Sequence, residues 1–356
     1  MKINVFSYKL KMIKIGLLSP FPPKKDGIAI HSNNLITHIN PDNIKIIKIG
    51  DKNSKADYKL DFHSFNLKNN LKRIIKKERL NLLHIQYVPT LFGKYNLNLN
   101  LIKALKQDIS VVTTLHEVYY HNKGLRNFIL SWIAKQLIKK SKIIIVHTPQ
   151  QKRFLENKYK MNNVRCIYQG LNLWKQHKRK NKNILFFGFI TPLKGIEYLI
   201  NAMRELKEYK LIIAGSIPRG VKETYKNEIE KEIASLKNIE TRIRWVPEKE
   251  KLRLYNWADI VVLPYIWAPY QSAVLHNAIA SGLPVVVTKT GSLHEIVKLF
   301  NLGETAKPKN SKSLAEAIEN IFKNYSKYKK GIKNYQRKAN WKEIAKQHKV
   351  LYKSLI

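Results

Sequence analysis

Lys194 and Gly195 stand between an apolar run, Ile184–Phe187, and an amphipathic stretch near residues 195–206. A cation at the start of a helix opposes the positive end of the macrodipole. An anion seated between the ammonium and the helix amides removes that conflict, so the spacing fits either an anion site or a solvated lysine. Further along, Gln271 and Ser272 follow the run Ile260–Leu263 and precede an apolar helix beginning near Ala273. There the first amides would also hold a phosphate-like group. Gly27 lies where the loop SPFPPKKDG turns into a helix, and would let a ligand approach main-chain N–H groups. His116–Glu117 follows the strand-like VVTTL, while His84 and Gln86 lie within LLHIQYVP. A His–Glu step at a strand end is a candidate for moving protons, with a structural reading of His116 equally open, whereas His84 reads as a satisfied core histidine ahead of a catalytic one. Ser292 and Glu295 fit a capping box, which gives Glu295 a structural role as well.

Such residues act together only if the elements between them form a sheet that brings the strand ends to one place. Short β-branched runs alternate with longer amphipathic segments, the pattern of βαβ units and a parallel sheet. In the first half the expected strands are Ile13–Leu18, Ile44–Ile47, Leu82–Gln86, Ser110–Thr114, Lys142–Val146 and Val164–Tyr168. After the polar, basic stretch WKQHKRKNKN the pattern restarts with Ile184–Phe187, Leu211–Ala214, Arg242–Val246, Ile260–Leu263 and Pro284–Val287. Helices are expected near 195–206, 221–236, 248–257, 273–281, 292–299 and 311–325, with a last one over Trp341–Leu355. The chain therefore divides into domains at 1–172 and 184–340, a basic linker over 173–183 and a terminal helix at 341–356. Ligands of doubly wound sheets bind beyond the carboxyl ends of the strands, where the residues named above lie.

Composition narrows the partners. The 356 residues carry 66 Lys+Arg against 25 Asp+Glu, a formal charge of +41. Such a field attracts polyanions. The charge is spread evenly over both halves and only 12 of the basic residues are Arg, which argues against a dedicated nucleic-acid face. Lys enrichment of this kind is thermophile-like. Cys166 is the one cysteine, so an internal disulfide and a cysteine-based zinc cluster are excluded. No apolar run is long enough to span a bilayer, and no secretory signal is visible. The expectation is a cytoplasmic protein. Its basic helices near 67–79 and 124–140 fit either ordinary packing with a solvated face or peripheral contact with the inner face of an anionic membrane.

Taken in order, PFPPKKDGIAIHS, HIQYVPTLFG, TTLHE, IVHTPQQKRFL, FFGFITPLKGIEYLINAM, LYNWADIVVLPY and QSAVLHNAIASGLPVVVTKTGSLHEIV resemble a retaining glycosyltransferase of family 4. The resemblance runs over about residues 12–355 and implies the GT-B fold: two Rossmann-like α/β domains facing a central cleft. It implies a nucleotide-sugar donor on the second domain, a glycan or lipid-linked acceptor on the first, and a terminal helix crossing back to the first. Carried onto this sequence, the donor-side residues are Gly27, Gly188, Lys194, Gly215, Gln271, Ser272, Ala273, Val274, Asn277 and Glu295. Those on the acceptor side are His84, Gln86 and His116, and the catalytic set is Lys194, His116 and Glu117. No cofactor is implied, and no Asp-x-Asp is present to hold a metal. The sequence also departs from the family pattern. Phe189 stands where an Arg is common, and Pro269 and Asn277 replace two glutamates spaced eight apart, while Gln271–Ser272–Ala273 resembles the loop of one family branch. A nucleic-acid-binding protein and a sugar-nucleotide epimerase of the same fold are the alternative readings.

Overall fold

In the computed structural model the described residues are 12–24, 26–39, 43–92, 98–105, 109–118, 125–174, 181–268, 272–291 and 293–356. Gln271, Pro269, Ser292 and residues 175–180 of the expected linker lie outside them. The chain forms two compact units, Met1–Gln169 with Trp341–Ile356, and Gly170–Asn340.

The first unit runs β1 (Ile13–Leu18), α1 (Gly27–His38), β2 (Ile44–Asp51), β3 (Tyr58–Leu60), α2 (Leu67–Glu78), β4 (Leu82–Tyr87), α3 (Asn98–Ala104), β5 (Ser110–Leu115), α4 (Leu125–Lys140), β6 (Ile143–Val146), α5 (Pro149–Tyr159) and β7 (Val164–Cys166). Its sheet has the order β3-β2-β1-β4-β5-β6-β7, and every pairing is parallel. The strands are mostly apolar on both sides because helices cover both faces. One face packs on Leu67, Leu71 and Ile74 of α2. The other is closed by the C-terminal helix introduced below.

The second unit runs β8 (Asn183–Phe187), α6 (Ile196–Met203), β9 (Lys210–Ala214), α7 (Glu223–Ala234), β10 (Ile239–Arg242), α8 (Glu248–Trp257), β11 (Ile260–Leu263), α9 (Ala273–Ala280), β12 (Val285–Thr288), α10 (Leu293–Phe300), β13 (Gly303–Ala306), α11 (Ser311–Lys323) and α12 (Tyr325–Ala339). The strand order is β10-β9-β8-β11-β12-β13, again all parallel. The order reverses beside β8, whose neighbours β9 and β11 leave in opposite directions, and that switch point opens a crevice at the strands' carboxyl ends.

The last helix, α13 (Trp341–Lys353), packs in the first unit. Trp341, Ile344, Ala345, Leu351 and Tyr352 form one stripe, buried with Ile15 of β1, Leu82 of β4, Val112 of β5 and Ile145 of β6.

The structure departs from the sequence reading in four places. The third strand of the second unit is Ile239–Arg242, not Arg242–Val246. The alternation in TRIRWV imitates a strand, but the ladder ends where Gly215 N donates to the Arg242 carbonyl at 3.1 Å, and Arg244 N turns back to that same carbonyl at 2.9 Å. β3 and β13 are too short to show a period. α12 is masked in the sequence by its lysines; its inward stripe is Tyr325, Tyr328, Ile332, Tyr335 and Ala339. The expected linker is also fastened at both ends. Trp174 N donates to the Ala280 carbonyl at 3.1 Å and its ring meets Tyr255 edge-on, while Asn183 already belongs to β8.

Gly215 is, with Gly303, one of the two tightest glycines of the second unit. Its φ is +143°, and a Cβ there would lie 1.8 Å from the Gly188 carbonyl oxygen. Gly27, in contrast, has nothing within 4 Å of an added Cβ, so the fold itself does not require glycine there. Gly215→Ala is expected to destabilise the chain by about 3 kcal/mol or more, through backbone displacement. Gly27→Ala should hold or slightly raise the melting temperature. Paired thermal melts of the two variants check both.

Candidate active site

A cavity of about 480 Å³ opens in the second unit at the carboxyl ends of β8, β9 and β11. Its floor is main chain. Gly188 N donates to the Ala214 carbonyl at 3.0 Å and Ile190 N to the Ser216 carbonyl at 3.1 Å, which stitches the loop after β8 to the loop after β9. The chain then makes a single 3₁₀ turn, Pro192–Lys194, and reverses at Gly195, where φ is +63°. A Cβ on Gly195 would lie 2.2 Å from the Pro264 carbonyl oxygen, and Ile266 N donates to the Leu193 carbonyl at 3.0 Å. Lys194 is thus clamped against the loop after β11. It ends a 3₁₀ turn rather than beginning α6, as the sequence had suggested, because the left-handed Gly195 separates the two helices.

The Lys194 ammonium lies 3.6 Å from the centroid of the Tyr265 ring. The negative face of the ring offers partial compensation to a charge removed from water. Burial nonetheless lowers the lysine pKa to about 8. Tyr265 is itself buried and held from two sides. Thr288 Oγ1 donates to its carbonyl, and its hydroxyl lies 3.4 Å from Ser272 Oγ. Ser272 caps α9 by accepting from Leu275 N at 3.4 Å. The cation, the aromatic ring and the N-terminus of α9 are therefore one connected assembly.

Seven residues that the sequence singled out line this cavity: Gly188, Lys194, Gly215, Ser272, Ala273, Val274 and Asn277. Glu295 does not. It stands in the first turn of α10, after β12, one strand further from the switch point. The far wall was missed: Arg244, Trp245 and Val246 from the loop after β10, and Glu248 and Lys251 from α8. That loop had been read as strand. Arg244 Nη2 pairs with Glu250 Oε1 at 2.8 Å, and Lys251 Nζ with Glu248 Oε1 at 2.7 Å. The rings of Trp245 and Phe189 are 67% and 54% exposed beside the opening. The signal that would have found the wall is positional, since β10 neighbours β9 and its end must face the same crevice.

The first unit gathers its own polar group. Gln86 and His84 are fully buried, and Gln86 Oε1 lies 2.7 Å from His116 Nε2. His147, which the sequence reading did not select, packs on His116 with Nε2 3.3 Å from His116 Nδ1. His31 of α1 lies 5.1 Å from the His116 ring, centroid to centroid, and among the described residues neither of its ring nitrogens has a hydrogen-bond partner. Burial holds His31, His84 and His116 well below the usual histidine range, with neighbouring imidazoles adding to the effect. It brings His147 and His348 to about 4. Glu117 follows His116 at the edge of β5, and is half-buried. Gly27 opens α1, where the Asp26 carboxylate already accepts from Ala29 N at 2.7 Å. No group of three or more His, Cys, Asp or Glu among the described residues is placed to hold a metal ion.

Two Rossmann-like α/β units, the second with a crevice at its switch point, define the GT-B architecture. Residues 172–339 match the family model described as Glycosyl transferases group 1, and residues 40–175 match Glycosyltransferase Family 4. The chain belongs to the family 4 type of GT-B glycosyltransferases. It is 32% identical over 214 residues to an uncharacterized glycosyltransferase of Methanocaldococcus jannaschii, covering 53% of this chain and 54% of the relative. The chain spans about half the length of the first curated relatives it matches. Among solved structures, sucrose-phosphate synthase from Thermosynechococcus elongatus superposes with a TM-score of 0.74 at 19% identity, covering 97% of this chain and 99% of that one. The Anabaena protein HepE, solved with UDP and glucose, gives 0.68 at 16% identity over 96% and 100%.

Imidazoles kept neutral by burial bind fewer protons than the same side chains in the unfolded chain. Their contribution is therefore complete above pH 6.5 and is lost as the pH falls toward 4. Each histidine held near 4 steepens the loss by up to about 1.4 kcal/mol per pH unit in that window. Denaturant midpoints measured at pH 7.5, 6 and 5 should fall in that order; a flat profile would contradict the buried cluster.

Proposed function

We propose that the chain moves a sugar from a nucleoside-diphosphate-sugar to an acceptor, and that the cavity of the second unit holds the donor's diphosphate. The observation that carries this reading is the half-buried Lys194, its ammonium over the Tyr265 ring, in the wall of a crevice that α9 also enters with its N-terminus. Cleavage of the bond between the anomeric carbon and the diphosphate oxygen leaves the electron pair on that oxygen and positive charge on the sugar. Fixed donors are most effective where the charge develops. Lys194 and the first amides of α9, at Ala273 and Val274, are the donors proposed here, with no metal step assigned. The exposed rings of Trp245 and Phe189 offer a stacking surface to a base, and Asn277 offers its amide to a ribose hydroxyl. HepE was solved with UDP and with UDP-glucose, which supports a donor of this class.

The acceptor is assigned to the first unit, with His116 and Glu117 on its side, and retention of configuration follows the family resemblance. A glycan or a lipid-linked glycan is the acceptor class proposed. On α4, Phe128 and Trp132 are exposed four residues apart and lead to the exposed Lys135 and Lys139, a face suited to peripheral contact with an anionic membrane. Among the described residues no helix is long and apolar enough to cross a membrane.

Incubating the protein with a panel of nucleoside diphosphates and nucleotide sugars, and following its melting temperature, tests the donor site. A bound ligand at 100 times its Kd should stabilise the chain by about 2.7 kcal/mol. Lys194→Ala is expected to lower transfer about 10²–10³-fold with the melt of the free protein preserved. Because burial lowers the Lys194 pKa to about 8, diphosphate affinity should weaken as the pH rises through 8, well before an ordinary lysine would lose its charge. Calorimetric titrations with UDP at pH 7 and pH 9 measure this. Equal affinities, or full turnover by Lys194→Ala, would remove the lysine from the mechanism.

A further inference from the structure

Lys194 differs from a surface lysine in ways that bear on its amine. It is half-buried in the wall of the cavity of about 480 Å³, and its Nζ lies 3.6 Å from the Tyr265 ring centroid. Its main chain is fixed, with Lys194 N donating to the Thr191 carbonyl at 2.9 Å and Gly195 N to the Pro192 carbonyl at 3.2 Å. A lysine is a nucleophile only as the neutral amine, so withdrawal from water, which disfavours the ammonium, also makes the side chain reactive. Burial brings the Lys194 pKa to about 8. At pH 7.5 about a quarter of the molecules then carry the neutral amine, against about one in a thousand for an ordinary lysine.

The charged groups around it favour one kind of reactant. On α8, Lys251 pairs with Glu248 at 2.7 Å, and on the loop after β10 Arg244 pairs with Glu250 at 2.8 Å. Arg244 and Lys251 add positive potential to the same wall, which opposes a further ammonium and attracts an anion. Glu197, three residues along, accepts from the Tyr225 hydroxyl of α7 at 3.2 Å. The loop after β11 contributes Tyr265, and α9 contributes no titratable side chain to the wall, only its N-terminal turns. The cavity therefore suits an electrophile with an anionic half. An acyl phosphate is such a molecule: its phosphate fits the first amides of α9, and its carbonyl carbon is one oxygen away from that phosphate.

We propose that Lys194 is a modification site, acylated without a partner enzyme by acyl phosphates that dock in this crevice, and that the acylated chain loses its hold on the donor's diphosphate. The inference rests on the reading that the crevice takes a phosphate between Lys194 and α9. In the step, neutral Nζ attacks the carbonyl carbon. A C–N bond forms as the C–O bond to the phosphate oxygen breaks. That oxygen keeps the electron pair and leaves as inorganic phosphate, and Nζ passes one proton to water. The resulting amide is neutral, which removes the cation assigned to the diphosphate. A bound diphosphate in turn covers the amine and holds it as the ammonium, so donor binding and acylation exclude each other.

The test incubates the full chain with acetyl phosphate between pH 6.5 and 9.5 and reads initial acetylation rates, lysine by lysine, by peptide mass spectrometry. The exposed Lys135 and Lys139 serve as internal standards. At pH 7.5 Lys194 should outpace them about tenfold, because its larger share of neutral amine is only partly offset by the weaker nucleophilicity of a less basic group, which falls with pKa as it does for thiolates. Its rate should level off above pH 8 while theirs keep climbing. Inorganic phosphate and UDP should each slow Lys194 and leave the standards unchanged. Lys194→Gln, which imitates the amide, should lower UDP affinity about tenfold or more with its melt preserved. Acetylation of Lys194 no faster than the standards, or still accelerating beside them at pH 9.5, overturns the proposal, as does unchanged UDP affinity in Lys194→Gln. The wild-type rates decide by themselves should that variant fail to fold. If UDP binds and Lys194 reacts only as fast as the standards, this inference alone falls. If Lys194 leads and inorganic phosphate slows it but no nucleoside diphosphate does, the modification stands and the donor reading falls.

Discussion

A lysine ammonium that is largely withdrawn from water must find compensation, and in the second unit it finds the face of Tyr265 at 3.6 Å. That contact sets much of the local architecture. Tyr265 is held at its carbonyl by Thr288 and faces Ser272 with its hydroxyl, and Ser272 in turn caps α9. The ring only partly replaces the lost hydration, as the pKa near 8 shows. The site therefore has a cation whose charge is better satisfied with an anion present than without one.

The same crevice depends on how closely two main-chain loops approach. Beyond β8 and β9 the carbonyl of Gly188 occupies the space a Cβ at Gly215 would need. Gly195 performs a second close approach, to Pro264, which sets Lys194 beside the loop after β11. Strand order does the rest. Because β9 and β11 flank β8, three consecutive strand ends open at one place, and the loop after β10 completes the wall.

The first unit uses its buried face differently. Instead of leaving all of it apolar, it runs imidazoles, an amide and two hydroxyls among the aliphatic side chains of HIQY, TTL and α13. Such a network is tolerated because nearly every member is paired. The same pairing ties the edge of β5, where His116 and Glu117 lie, to a helix more than two hundred residues later in the chain.

Periodicity sufficed for most strands, since a buried parallel strand must be apolar on both faces whatever its neighbours are. Seven cavity residues were legible too, because each stands within a few positions of a strand end or helix start and carries a side chain, or the lack of one, suited to anions. What remained hidden depended on neighbours far away in sequence. TRIRWV alternates like a strand, and only the end of its ladder with β9 decides that it stops at Arg242 and turns Arg244 and Trp245 toward the crevice. Tyr265 looks like an ordinary loop aromatic until Lys194 is laid across it. Gln86 and His84 sit at i and i+2 of one strand, on one face, and sequence offers no way to tell that this face is covered by His348 and Tyr352 of α13. The local chemistry of each residue was written in the chain. Which residues became partners was decided by tertiary packing, because hydrogen bonding and desolvation depend on distances that only the assembled sheets define.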